Sequence, residues 1–162
     1  GDHVLVTGGY APVQPLFSIA PSARGDVTPP DDKQATAAAN TAIQWHSAKG
    51  GAYTITPLIY RDLLYILTSS GVVTCRDAAT GRQVYKARVA SGRCGDIVAS
   101  PIAADGFLYI ADSGGDVFVL SAGDEYTRPT VCPVGEPLMA TPAAAPGRLV
   151  VRGLHHLYGY AP

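Results

Sequence analysis

No apolar run in this 162-residue chain approaches the roughly 20 residues that a membrane-spanning helix needs. Charge of one sign is missing as well: 12 Lys and Arg stand against 13 Asp and Glu, a formal net charge of −1. That balance leaves no electrostatic footprint for DNA, RNA or an acidic membrane, so neither a nucleic-acid partner nor a transmembrane segment is expected. Cysteine is scarce. Cys75, Cys94 and Cys132 form no adjacent pair and no Cys-x-x-Cys, which removes the usual zinc patterns. They read as single thiols, with a Cys75–Cys94 disulfide as the alternative. The chain has no starting Met, signal peptide or lipidation motif. Gly1-Asp2-His3-Val4-Leu5-Val6 already reads as a strand, so the expectation is a chain that begins inside a domain.

What the sequence does contain is a repeat. Thr56-Pro57-Leu58-Ile59-Tyr60-Arg61-Asp62-Leu63-Leu64-Tyr65-Ile66 runs in near-register with Ser100-Pro101-Ile102-Ala103-Ala104-Asp105-Gly106-Phe107-Leu108-Tyr109-Ile110. Thr141-Pro142-Ala143-Ala144-Ala145-Pro146-Gly147-Arg148-Leu149-Val150-Val151 matches both. Pro57, Pro101 and Pro142 are 44 and then 41 residues apart, the period of about 40 to 45 residues that four-stranded propeller blades show. With 47% hydrophobic and 15% charged residues, the chain has material for a core.

Each unit divides into four pieces. A small-residue strand ending in Ser/Thr-Pro, such as Tyr53–Ile59, comes first. A two-residue turn follows: Arg61-Asp62, Asp105-Gly106 or Pro146-Gly147. The second strand (63–67, 107–111, 148–152) is apolar on both faces, so both must be covered. Gly-containing turns lead to a third strand at 72–76 or 117–121. The fourth alternates charge with apolar residues: Arg82, Lys86 and Arg88 against Tyr85, Ala87 and Val89. Charges there discourage edge-to-edge pairing, as expected of a rim strand.

The expected fold is therefore all-β: antiparallel four-stranded blades of a partial, open β-propeller, about three and a half blades in all. As a single domain, residues 1–45 end a first blade, with an exposed loop insertion at 28–41. Residues 46–89 make the second blade, 90–134 the third and 135–162 the start of a fourth. Propellers close with roughly four to eight blades, so open edges are expected. Apolar faces around residues 64–67 and 149–151 would then be exposed.

The segment Asp77-Ala78-Ala79-Thr80-Gly81-Arg82-Gln83-Val84-Tyr85 resembles the repeat of pyrroloquinoline-quinone-type propellers, Asp-Ala-x-Thr-Gly-x-x-x-Trp. Asp77 and Thr80 can bond local backbone N–H groups while Gly81 supplies positive φ. Tyr85 stands where that repeat has Trp, Trp45 holds the place one unit earlier, and Tyr126 holds it one unit later. Tyr85 to Pro101 and Tyr126 to Pro142 are both 16 residues. Gly50-Gly51-Ala52-Tyr53-Thr54-Ile55-Thr56-Pro57, Met139-Ala140-Thr141-Pro142 and Leu154-His155-His156-Leu157-Tyr158 are similar to BamB-like outer-membrane-assembly propellers, and the resemblance covers nearly the whole chain.

In the quinoprotein alcohol dehydrogenases the resemblance implies a quinone over adjacent cysteines, beside a Ca²⁺ held by Glu and Asn. This chain has no Cys-Cys pair, and its one asparagine is Asn40. No catalytic, cofactor-binding or metal-ligating residue carries over, and no cofactor is expected. His155-His156 would point to opposite faces of a strand, and Asp112-Ser113-Gly114-Gly115-Asp116 reads as a plain turn. Tyr53, Thr54, Asp96 and Met139, near the starts of the inner strands, are the candidates for lining the axial mouth.

The reading is a non-catalytic scaffold or binding module that contacts a protein or peptide through its loops and axial surface. The BamB-like resemblance implies outer-membrane protein assembly and a periplasmic or cell-envelope location. The open edges imply further blades of a parent chain or self-association. The alternative is the C-terminal part of a quinone-dependent dehydrogenase. A third, a sugar-binding propeller, requires exposed aromatics clustered at one mouth, whereas the tyrosines sit mostly in strand positions.

Overall fold

The two-residue turns set where each blade starts. Arg61 and Asp62 hold φ of 51° and 63°, and Asp105 and Gly106 hold 50° and 86°. Both pairs make the mirror-image turn whose twist suits a hairpin. In Pro146-Gly147 only the glycine is left-handed, at 69°, because the proline ring fixes its own φ negative.

Around these turns, a computed structural model of the chain describes residues 3–10, 12–27, 42–90, 92 and 94–161. The insertion expected at 28–41 lies outside the described residues. Among the described residues, fourteen strands form four antiparallel sheets. The first is β1 (Val4–Thr7), β2 (Leu16–Ile19) and β3 (Ile43–Ser47). The second is β4 (Leu58–Tyr60), β5 (Leu63–Leu67), β6 (Val72–Asp77) and β7 (Gln83–Arg88). The third is β8 (Ile102–Ala104), β9 (Phe107–Ala111), β10 (Asp116–Ser121) and β11 (Thr130–Pro133). The fourth is β12 (Ala143–Ala145), β13 (Arg148–Arg152) and β14 (Leu157–Tyr160). Each sheet pairs its strands in chain order, and the described residues contain no helix. This is an open arc of propeller blades.

The inner strands differ from the sequence reading. They begin after the Ser/Thr-Pro pair and span three residues, so Tyr53–Thr56 lies outside the sheet. Proline has no N–H to donate, so a ladder starts beyond it rather than through it. The residue before each proline has a separate task. The Thr56 N–H donates to Ser100 Oγ at 3.0 Å, and the Ser100 N–H donates to Thr141 Oγ1 at 3.1 Å. These hydroxyls stitch the inner segments of three successive blades together where no strand pairing joins them.

Between the blades lie three apolar cores. Leu16 and Trp45 of the first blade pack with Ala52, Leu64, Ile66 and Ala78 of the second. Tyr65, Val73 and Cys75 meet Ile97, Leu108, Ile110 and Phe118 of the third. Ala111 and Val117 meet Leu138 and Val151 of the fourth. Residues 64–67 are thus buried on both sides by neighbouring blades, not exposed as the open-edge argument implied. Alternate residues of β5 serve opposite cores, which is why the strand is apolar throughout. At the other end, Val151 is buried while Leu149 and Val150 are half-buried. Apolar side chains are exposed at both ends of the arc: Val4 and Val6 of β1, 47% and 46% exposed, and Leu157 and Tyr160 of β14, 71% and 45% exposed.

The residues of the quinoprotein-like motif sit at these joints. The Thr80 N–H and hydroxyl both donate to Asp77 Oδ1 at 2.8 Å, which holds that carboxyl below its usual range. Gly81 takes φ of 71°, and Trp45 lies over it, donating its Nε1–H to the Ala78 carbonyl at 2.9 Å. The Tyr85 and Tyr126 rings sit 5.8 Å apart between the second and third blades, and the Tyr126 hydroxyl donates to the Arg88 carbonyl at 2.6 Å.

All three cysteines are free, so the disulfide alternative does not hold in this structure. Burial pushes the Cys75 thiol up to about 11, beside Tyr65, which burial pushes up to about 12. Cys75 is therefore expected to stay unmodified by a thiol reagent at neutral pH until the blades part, while exposed Cys132 labels at once. Mass spectrometry of a timed alkylation checks this; early modification of Cys75 would contradict the packing.

Candidate functional site: the loop face of the arc

Every loop that joins one blade to the next hooks onto a turn between second and third strands. The Gly51 N–H donates to the Gln14 carbonyl at 3.0 Å, and the Ile97 N–H to the Ser69 carbonyl at 2.9 Å. The Leu138 N–H donates to the Asp112 carbonyl at 3.2 Å, and the Ser113 N–H to the Asp96 carbonyl at 3.0 Å. Both loop sets therefore lie on one face of the arc. This is the surface a propeller has free for variation, because its strands are committed to packing.

That face carries exposed apolar side chains, among them Val98 and two groups that line hollows. Tyr10 and Tyr53 are 71% and 62% exposed and meet edge to face, ring centres 5.0 Å apart at 80°. Beside them is a cleft of about 260 Å³ that also takes in Gln14, Thr54 and Ser69. On the other side of Tyr53 a second hollow, of about 350 Å³, runs along Leu5–Thr7 to Pro57. The second group is Met139 and Leu154, which line a smaller hollow of about 160 Å³ with Pro137 and Arg152.

The structure brings Tyr53 and Thr54 together in one cleft and puts Met139 in another. Asp96 is exposed on the same face and lines neither hollow; its backbone carbonyl serves the loop contact described above. Sequence reasoning did not single out Tyr10, Gln14 or Ser69. Tyr10 could have been found: it follows Gly8-Gly9, in a loop rather than a strand, where an aromatic ring has no core to join.

The two histidines sit in the turn between β13 and β14. The His156 Nδ1 lies 3.1 Å from Glu136 Oε1, and the Glu136 carboxylate also accepts the Tyr158 hydroxyl at 2.6 Å and the His155 N–H at 2.7 Å. These bonds, the Tyr158 hydroxyl first, hold the Glu136 carboxyl down at about 2. Its folded value lies below the ordinary 4.5, so its contribution is complete above about 4.5 and disappears as pH falls through about 2. Between those limits the turn is expected to loosen, seen as faster exchange of the His155 amide, and Glu136→Gln should remove that acid dependence. Among the described residues no cluster of three or more His, Cys, Asp or Glu side chains could hold a metal ion.

The architecture defines the class: an antiparallel blade repeat with three-residue inner strands, its blades joined by Trp45 on the Gly81 turn and by the Tyr85–Tyr126 ring contact. No protein-family profile matches the chain, and no curated protein matches it. Solved structures do. BamB from Moraxella catarrhalis is similar over 99% of this chain and 43% of its own, at 17% identity and a TM-score of 0.65. A quinohemoprotein alcohol dehydrogenase from Pseudomonas putida HK5 is similar over 93% of this chain and 26% of its own, at 11% identity and a TM-score of 0.57. The computationally designed Ika4 protein is similar over 99% of this chain and 92% of its own, at 9% identity and a TM-score of 0.58. The chain spans less than half the length of the first two. The fold is that of a partial β-propeller, resembling the corresponding part of BamB and of the quinohemoprotein alcohol dehydrogenase.

Proposed function

We propose that this chain is a non-catalytic binding module whose loop face contacts a protein or peptide, with the blades serving as its rigid support. The observation that carries this reading is the standing of Val98, Met139 and Leu154 on one face, 38%, 62% and 59% exposed, where blade packing does not need them. Val98 and Met139 occupy the same place in successive repeats, three residues before Pro101 and Pro142. Two exposed apolar side chains at repeat spacing, with Leu154 sharing a hollow with Met139, offer a partner apolar contact. The likeness to BamB supports a role in outer-membrane protein assembly in the cell envelope, and the open ends of the arc support contact with further blades or a second copy. The likeness to the dehydrogenase supports the second reading, a part of a quinone-dependent enzyme.

The test is a photo-crosslinking residue placed at Met139 or Leu154, with Phe107 at the opposite end of its blade as control. The expected result is a discrete adduct from the loop face alone, containing a component of the envelope's β-barrel assembly machinery. No adduct from either loop position would remove the binding reading. Quinone-dependent dye reduction by the full-length protein would replace it with the enzyme.

A further inference from the structure

The three repeats provide an internal control for what packing requires. Four residues before the prolines stand Tyr53, Ile97 and Leu138. Ile97 and Leu138 are fully buried, yet Tyr53 is 62% exposed. Blade packing does not force it outward, since Ala52 and Ile55 on either side fill the core at 3% exposure each. The second blade runs out of step with the other two here: Ala52 is buried where Asp96 and Pro137 are exposed, and Gly51 makes the loop contact that Ile97 and Leu138 make, so that Tyr53 turns outward and meets Tyr10 of the preceding loop.

The pair is held in place from below. The Ala52 N–H donates to Thr7 Oγ1 at 2.9 Å, and the Thr7 hydroxyl donates to the Pro15 carbonyl at 3.0 Å. A Cβ on Gly51 would collide with that hydroxyl and with the Pro15 carbonyl, so glycine lets the two loops close on each other. The Val13 N–H donates to the Tyr10 carbonyl at 3.0 Å and closes the turn that presents the ring. Two aromatic faces at 80° are thereby fixed before any ligand arrives.

The chemistry of the cleft is selective. Its floor is aliphatic, from Ala52, Ile55 and Leu67, and its polar side chains are the neutral ones of Gln14, Thr54, Thr68 and Ser69 with the tyrosine hydroxyls. No charged side chain lines it. Phosphates, carboxylates and ammonium groups find no counter-charge there. The ligand that matches has apolar C–H faces to lie on tyrosine rings and hydroxyls around its edge to meet uncharged donors and acceptors. We propose that the cleft between Tyr10 and Tyr53 binds a neutral saccharide, one pyranose ring packing on Tyr53 with Tyr10 closing its side. This site is separate from the hollow at Met139 and stands or falls apart from the protein-binding reading.

The experiment is saturation-transfer NMR and calorimetry on the whole chain with maltotriose, cellotriose, mannotriose and chitotriose at millimolar concentration. The expected result is binding of at least one, unchanged between low and high salt. Tyr53→Ala and, independently, Tyr10→Ala should each weaken it about tenfold or more, while Tyr53→Phe keeps most of it and Phe107→Ala, outside the cleft, changes nothing. Unaltered circular dichroism of both alanine variants shows that the blades are intact. The proposal is overturned if none of the four sugars binds, or if binding survives both alanine variants. A proline-rich peptide that binds in a Tyr53-dependent way, and that no trisaccharide displaces, overturns it in favour of a peptide groove.

Discussion

Gly81→Ala is expected to lower the stability of the chain by about 3 kcal/mol, from two costs that add at one atom. Gly81 has φ of 71°, and a side chain in the left-handed region costs about 1–2 kcal/mol. The new methyl would also lie 2.5 and 2.6 Å from Cε3 and Cδ2 of Trp45. The ring has little room to retreat, because Trp45 is buried and its Nε1–H is tied to the Ala78 carbonyl at 2.9 Å. Overpacking of this kind costs about 1–3 kcal/mol. Trp45 is the only tryptophan, so its fluorescence reports the contact directly during denaturant unfolding. A double-mutant cycle with Trp45→Leu separates the two costs: the clash disappears in the leucine background and the backbone strain remains. Coupling below about 0.5 kcal/mol would show that the ring does not join the first blade to the second.

How much of this was legible depends on whether a residue answers to its neighbours in sequence or to another blade. The turns at 61–62, 105–106 and 146–147 were readable because the backbone conformation they need is local. The second strands matched residue for residue, since a run such as Leu63–Leu67, apolar on both faces, leaves no other placement. The inner strands were read too early because the Ser/Thr-Pro pair was taken as their end. Its task, the hydroxyl relay through Ser100 and Thr141, crosses 44 and 41 residues, and no local pattern announces it. The exposed face was misplaced for the same reason: Leu64–Leu67 and Val4–Val6 look alike in sequence, and only the neighbouring blades decide which is covered. Tyr53, Thr54, Asp96 and Met139 were named from the sequence as candidates for the axial mouth, by their place near the starts of the inner strands. Tyr10 was missed because its partner is 43 residues away, and Gln14 because it enters the cleft only after its backbone has caught Gly51.

Asp112→Ala is expected to cost about 3 kcal/mol or more, although the residue lies in what reads as an ordinary turn. Its side chain is 1% exposed, and both carboxylate oxygens are in use: Oδ2 accepts the Gly95 N–H at 2.7 Å and Oδ1 accepts the Asp116 N–H at 2.9 Å. Bonds to a charged acceptor contribute about 1.5–3 kcal/mol each, and their removal leaves two donors facing a methyl group. The backbone of the same residue binds further: its carbonyl accepts the Leu138 N–H, which belongs to the loop leading to the fourth blade. Three segments thus converge on one residue, the approach to the third blade, its own turn, and the approach to the next. Asp112→Asn should recover only part of the loss, because its amide can accept one of the two N–H groups but presents donors to the other. Denaturant unfolding measures the cost, and amide exchange locates it. Gly95, Asp116 and Leu138 should all lose protection in Asp112→Ala, while amides of β6 in the second blade keep theirs. A loss under about 1 kcal/mol, or exchange confined to Asp116, would mean that the blades are held together by their apolar cores alone and that the loop face is built on separate hairpins rather than on a shared hub.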